Sequence, residues 1–131
     1  MCLRHSDVPA IHKSSDYLSH VHRDYAGWRL AIVGEGPQRT ELHSLCAELG
    51  IAEKVDMPGQ SMNVESWLER AGIFVLPSRR EGFPNALIEA MAMGVAVIST
   101  SCRHGPAEII RHGYDGLLTP VDDDLAMAEA L

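Results

Sequence analysis

Two glutamates and a turn carry the most chemical information in this chain. They lie in the stretch PSRREGFPNALIEAMAMG, residues 77–94, where Glu81 and Glu89 stand with seven residues between them. Glu89 is the only charge between Ala86 and Met93. A helix apolar on almost every side is a buried helix, and an ionised carboxylate inside it is costly unless something hydrogen-bonds it. Glu89 therefore has two readings. It accepts hydrogen bonds from ligand hydroxyls, or it occupies one solvated stripe or pairs with a neighbouring arginine. Glu81 precedes the helix. It is a solvated loop acid paired with Arg79 or Arg80, or a group at the reacting end of a ligand.

The backbone around these residues favours an anion. Gly82 makes the turn, and Pro84 suits the first helical turn because the N–H it lacks has no intrahelical partner there. The N–H groups of Gly82, Phe83 and Asn85 then sit at a helix N-terminus, where free donors and the helix dipole attract a diphosphate.

Other residues raise rival chemistries. Gly34-Glu35-Gly36 follows an apolar run and precedes a helix. It resembles half of a dinucleotide fingerprint, with Asp56 about twenty residues on as the ribose-binding acid of an NAD(P)-dependent oxidoreductase. Arg39 stands where the third glycine belongs, and Pro37 stiffens the turn. The simpler reading is a tight strand-to-helix turn in which Gly34 lines the cleft. His20-x-His22 and Cys102-x-His104 are the closest histidine pairings, and neither gives a four-ligand metal spacing. No metal site is expected. His104 and Gly105 fall in a strand-to-helix loop on the cleft side. Glu108 suits the start of its own helix, and Trp67, Met91 and Met93 read as core or core margin.

The elements that must position these residues alternate regularly. Apolar strands are expected at Arg29–Val33, Ile73–Leu76, Val95–Ile98 and Leu117–Thr119, with a weaker one at Lys54–Met57. Helices are expected after Pro37, with Leu42, Leu45, Cys46 and Leu49 on one face, and over Asn63–Arg70, Pro84–Met93 and Glu108–Arg111. A last helix is capped by Asp122 to Asp124. The best strands are apolar at every position, as in a parallel sheet buried on both faces. Ligands of such sheets bind beyond the C-terminal strand ends, which is where Glu81 and Gly34 fall.

Bulk properties narrow the field. The chain has 131 residues, 46% of them hydrophobic and 22% charged, with a formal net charge of -7. One domain fits that length. No basic stripe is present for nucleic acid. No run of about 18 apolar residues spans a membrane, and Met1-Cys2-Leu3-Arg4-His5 lacks a signal-peptide core. Cys2, Cys46 and Cys102 follow no disulfide or metal spacing. Cys46 on an apolar stripe reads as a buried free thiol, which fits a reducing compartment and a cytoplasmic location.

The glutamate stretch, with WRLAIVGEGP and ELGIAEKV before it and GPAEIIRHGYDGLL after it, resembles the donor-binding C-terminal domain of retaining glycosyltransferase family four. The four blocks run in the family's order over about Gly27 to Leu131. The resemblance implies an enzyme with two facing Rossmann-like domains, α/β in class, each a parallel sheet with helices on both faces. It implies a UDP- or GDP-linked sugar as substrate, no cofactor and no metal. Glu81 is then the catalytic candidate at the donor sugar. Glu89 binds the ribose hydroxyls, and Gly82, Phe83, Pro84 and Asn85 approach the sugar and diphosphate. Electrostatic stabilisation of the departing diphosphate carries the catalysis.

The resemblance also implies elements this sequence does not display. An earlier strand should end in a Gly-Arg phosphate turn before a Lys-Gly. Residues 1–12 carry no apolar run of strand length. Lys13 stands near the expected lysine, followed by Ser14 in place of glycine, and Arg4 is a remote match to the arginine. The first strand, central in the order 3-2-1-4-5-6, is thus expected to be missing or degenerate. Either residues 1–12 then fill the gap poorly or the strands at Arg29 and Ile73 pair directly, and exposed, association-prone edges are expected on those strands. Residues 1–28 form a divergent N-terminal segment, a remnant of the first strand and helix. Residues 29–131 are expected to form the nucleotide-sugar domain, incomplete at its C-terminus. A glycan or lipid-linked acceptor would bind a missing N-terminal domain, and peripheral membrane association of a full-length enzyme is compatible with this reading. A non-catalytic fragment or sugar-nucleotide-binding remnant is the alternative.

Overall fold

The computed structural model of the chain describes residues 2–4 as backbone and residues 27–131 in full. Its strands are β1 (Cys2–Arg4), β2 (Leu30–Val33), β3 (Val55–Gly59), β4 (Ile73–Leu76), β5 (Ala96–Thr100) and β6 (Leu117–Thr119). Its helices are α1 (Arg39–Glu48), α2 (Glu65–Leu68), α3 (Asn85–Ala92), α4 (Pro106–Ile109) and α5 (Asp124–Ala130). The six strands form one sheet in the order β3-β2-β1-β4-β5-β6, every pairing parallel. This is the Rossmann-like order expected from the sequence.

The apolar strands are buried on both faces because their alternate residues enter two separate cores. Leu30 and Ile32 of β2, Val75 of β4 and Ile98 of β5 pack with Leu42 and Cys46 of α1 and Met127 of α5. Ala31, Val33, Phe74, Leu76 and Val97 point the other way, onto Leu68 of α2 and Ala86, Leu87 and Ala90 of α3. Each fully buried Leu, Ile, Val or Phe contributes roughly 1.5–3 kcal/mol, so these two layers fix the sheet and the helix starts at its strand ends. Strand β3 is an edge strand. It tolerates Pro58, whose missing N–H has no place in a central ladder, and its register against β2 shifts between Ala31 and Val33.

The first strand, expected to be missing or degenerate, is present in a short form, and Leu3 lies between Ile32 of β2 and Val75 of β4. A strand hydrogen-bonded on both sides needs neither length nor an apolar run to be held, so three residues suffice and leave no pattern to read. Strands β2 and β4 therefore do not present the open edges expected for them. The helix expected over Asn63–Arg70 shortens to α2, whose first turn Asn63 caps by accepting the Ser66 N–H at 3.0 Å. Asp123 likewise caps α5, accepting the Ala126 N–H at 3.0 Å. No helix among the described residues is long and apolar enough to cross a membrane.

Candidate functional site

Strand β4 delivers the glutamate loop to the C-terminal edge of the sheet, and strand β5 holds it there. Ser99 Oγ donates to the Leu76 carbonyl at 3.0 Å, and Thr100 Oγ1 donates to the Ser78 carbonyl. Ser78, itself buried, donates through Oγ to Glu81 Oε1 at 2.7 Å. Glu81 is half-buried. Its partner is this serine, not Arg79 or Arg80. Arg79 instead reaches Asp122 after β6, Nε to Oδ1 at 2.7 Å, and Arg80 is exposed.

A second strand-end loop closes against the first. Gly105 has φ +93, and a Cβ there would stand 2.9 Å from Pro84 Cδ and 3.3 Å from both Glu81 Cβ and the Gly82 carbonyl. Only glycine allows this backbone conformation and this approach together. His104 before it also has a positive φ of 67 and places Nδ1 3.8 Å from Glu108 Oε1. Cys102 is buried beneath this junction. Burial pushes its thiol above the ordinary range, the Thr100 hydroxyl opposes that, and the charge of Glu81 adds to it. Cys46, buried under α1, is raised by burial alone. Both are free thiols.

The start of α3 is only partly as the sequence indicated. Gly82 and Phe83 are exposed, and their N–H groups have no hydrogen-bond partner among the described residues. Asn85 does not share this freedom, since its N–H donates to the Phe83 carbonyl at 3.0 Å. Pro84 is buried against Gly105. Of the two settings open to Glu89, the solvated stripe is the one it occupies. It is exposed, one helical turn beyond the exposed Asn85. The buried face of α3 is carried by Ala86, Leu87 and Ala90, which leaves Asn85 and Glu89 on one open stripe. Their Cα atoms are about 6 Å apart along the axis.

The turn after β2 forms a separate corner. Gly34 donates its N–H to the Gly59 carbonyl at 2.8 Å. Glu35 lies against Gly59, and Arg39 ties the corner together, Nη1 to Glu35 Oε1 at 3.0 Å and Nη2 to the Met57 carbonyl at 2.6 Å. Asp56 is bound to Arg29 at 3.0 Å. The half-fingerprint is therefore a clip between β2 and β3, with an arginine where its third glycine would stand. Gly34 follows β2 and Glu81 follows β4. Two strand spacings, about 10 Å, separate those strands, with β1 between. Lys13, His20 and His22 lie outside the described residues, as does the side chain of Arg4. No three His, Cys, Asp or Glu side chains converge among the described residues.

Two residues of this site, Ser78 and Thr100, were given no role from the sequence, and a third was only partly read. Ser78 left one signal, the Ser-x-x-Glu spacing to Glu81. Thr100 left none, because its contact is made across two strands. Gly105 was placed in the right loop but not in contact with Glu81 and Pro84.

The arrangement brings together a tethered carboxylate, two free backbone donors and an exposed carboxylate one helical turn along. It can hold an anion at the helix start, with hydroxyl groups on either side. The chain is similar to known proteins over most of its length. The chain is 45% identical over 109 residues to an exopolysaccharide phosphotransferase of Streptomyces coelicolor, covering 82% of this chain and 12% of that protein. It is 38% identical over 115 residues to the GalNAc-alpha-(1->4)-GalNAc-alpha-(1->3)-diNAcBac-PP-undecaprenol alpha-1,4-N-acetyl-D-galactosaminyltransferase of Campylobacter jejuni, covering 87% of this chain and 32% of that one. The chain thus spans a third or less of these two relatives. Its fold matches that of Anabaena HepE, solved with UDP-glucose, with a TM-score of 0.82 at 23% identity over 98% of this chain and 36% of that one. The family model for glycosyl transferases group 1 matches residues 8–131. With nearly its whole length under that match, the chain belongs to the group 1 family of glycosyl transferases.

Proposed function

We propose that this chain is the donor-binding half of a retaining glycosyltransferase that uses a UDP- or GDP-linked hexose without a metal. The observation that carries this reading is the junction at Glu81. A carboxylate fixed by a buried serine stands beside the free N–H groups of Gly82 and Phe83 at the start of α3. In this reading the two amides and the helix dipole bind the diphosphate. Glu81 accepts a hydrogen bond from the donor sugar, and Glu89 accepts those of the ribose hydroxyls. As the glycosidic bond breaks, negative charge grows on the departing diphosphate, and donors already aimed at it lower the barrier. The acceptor hydroxyl attacks from the face the diphosphate leaves and gives its proton to that departing diphosphate, so the configuration is retained and no protein nucleophile is required. The acceptor is a glycan or a lipid-linked saccharide held by a separate domain, and the reaction belongs to polysaccharide assembly in the cytoplasm. The polysaccharide-related names of the relatives and the UDP-glucose held by the Anabaena protein support this reading.

Titration calorimetry of the chain with UDP-glucose and GDP-mannose tests it. Binding of one of them in the presence of a chelator is expected. A strict requirement for Mg²⁺, or binding of neither, would contradict it.

A further inference from the structure

Among the described residues every buried polar side chain is a hydroxyl: Ser78, Ser99, Thr100 and Thr119. All four lie at the C-terminal ends of β4, β5 and β6 or directly after them. Burying a polar group is unfavourable unless it is hydrogen-bonded, and this molecule does so repeatedly at the one end of the sheet where Glu81 stands. Three of the four form a directed series. Ser99 fixes the Leu76 carbonyl, Thr100 fixes the Ser78 carbonyl, and Ser78 donates to Glu81. A hydroxyl has one proton to donate, and Ser78 gives its own to Glu81 Oε1. Oε2 accepts no hydrogen bond among the described residues. A Cβ at Gly105 would stand 3.3 Å from Glu81 Cβ, so the loop after β5 packs against Glu81.

We propose that Ser78 is a positioning residue. It holds one oxygen of Glu81 so that the other faces the donor sugar, with Thr100 bracing Ser78 from behind. The inference rests on the reading of Glu81 given under Proposed function. It assigns to a buried serine the orientation of a carboxylate whose own loop is open to solvent.

The test separates the sugar's contribution from that of the nucleotide. The chain is titrated with UDP and UDP-glucose, and with GDP and GDP-mannose. The measured quantity is the ratio of the Kd of the diphosphate to the Kd of its sugar conjugate. Ser78→Ala is expected to lower that ratio by about three- to tenfold, the scale of one ordinary hydrogen bond weakened when its acceptor is no longer held in place, while diphosphate affinity moves far less. Ser78→Thr, which keeps the hydroxyl, is expected to restore the ratio. Thr100→Val is expected to lower it by a smaller factor, and serves as the second probe if Ser78→Ala does not fold. In a Glu81→Ala background, Ser78→Ala is expected to add nothing. A purely structural serine would weaken diphosphate and conjugate alike and act equally in both backgrounds, and that result would overturn the proposal. If Glu81→Ala itself leaves the ratio unchanged, or no conjugate binds, the underlying reading of Glu81 fails. If Glu81→Ala lowers the ratio and neither Ser78→Ala nor Thr100→Val does, only the positioning role fails.

Discussion

Glu81 and Glu89 share a residue type and almost nothing else. Glu81 is half-buried and tied to a buried hydroxyl. Glu89 is exposed, and its side chain has no hydrogen-bond or ion-pair partner among the described residues. An exposed carboxylate without a partner contributes little to stability, so Glu89→Gln is expected to shift stability by no more than about 0.5 kcal/mol. The same substitution is expected to weaken nucleotide binding by about 1–3 kcal/mol, because hydrogen bonds to a charged acceptor are stronger than those to an amide. Thermal melting of the free chain and calorimetry with the nucleoside diphosphate check the two halves. Equal affinity of the unsubstituted chain for ribose and 2′,3′-dideoxyribose nucleotides would reject Glu89 as the ribose ligand. The exposure of Glu89 was hard to read beforehand. Its neighbours on α3 are Ala, Leu, Ile and Met, and alanines on both faces leave little contrast between an inner and an outer side.

The site is made by contacts between elements, and these divide what could be read from what could not. Strands β2 and β4 were legible because apolar residues at every position have one physical explanation, burial on both faces. The turn at Gly82 and the helix start at Pro84 were legible because their local backbone requirements are specific. Strand β1 was not, since its three residues are held by neighbours rather than by their own pattern. Nor was the contact of Gly105 with Pro84 and Glu81, which joins residues more than twenty positions apart and leaves no local trace. That contact makes a prediction at this scale. Gly105→Ala combines a positive φ with a Cβ 2.9 Å from Pro84 Cδ. It is expected to cost roughly 1–3 kcal/mol and lower the melting temperature by several degrees. It is also expected to displace Glu81 and so weaken binding of the sugar conjugate. An unchanged melting temperature would show that the two loops do not press on one another.

The whole molecule depends on its shortest strand. Strand β1 joins β3-β2 to β4-β5-β6, and without it two apolar strands would present unpaired edges at the sheet centre, where association begins. Deleting residues 1–4 is therefore expected to convert a cooperatively melting chain into one that self-associates. Sedimentation velocity and thermal melting read this directly, and a monomeric, cooperatively melting deletion variant would refute it. The central claim is that the C-terminal edge of this sheet holds a nucleoside diphosphate at the start of α3. Backbone amide chemical shifts, followed by NMR as UDP or GDP is added to the metal-free chain, test it most directly. The account predicts the largest shifts at Gly82 and Phe83, with smaller ones along the stripe toward Glu89. Shifts centred instead on Gly34–Pro37, or at the opposite end of the strands around Gly113–Leu117, would contradict it.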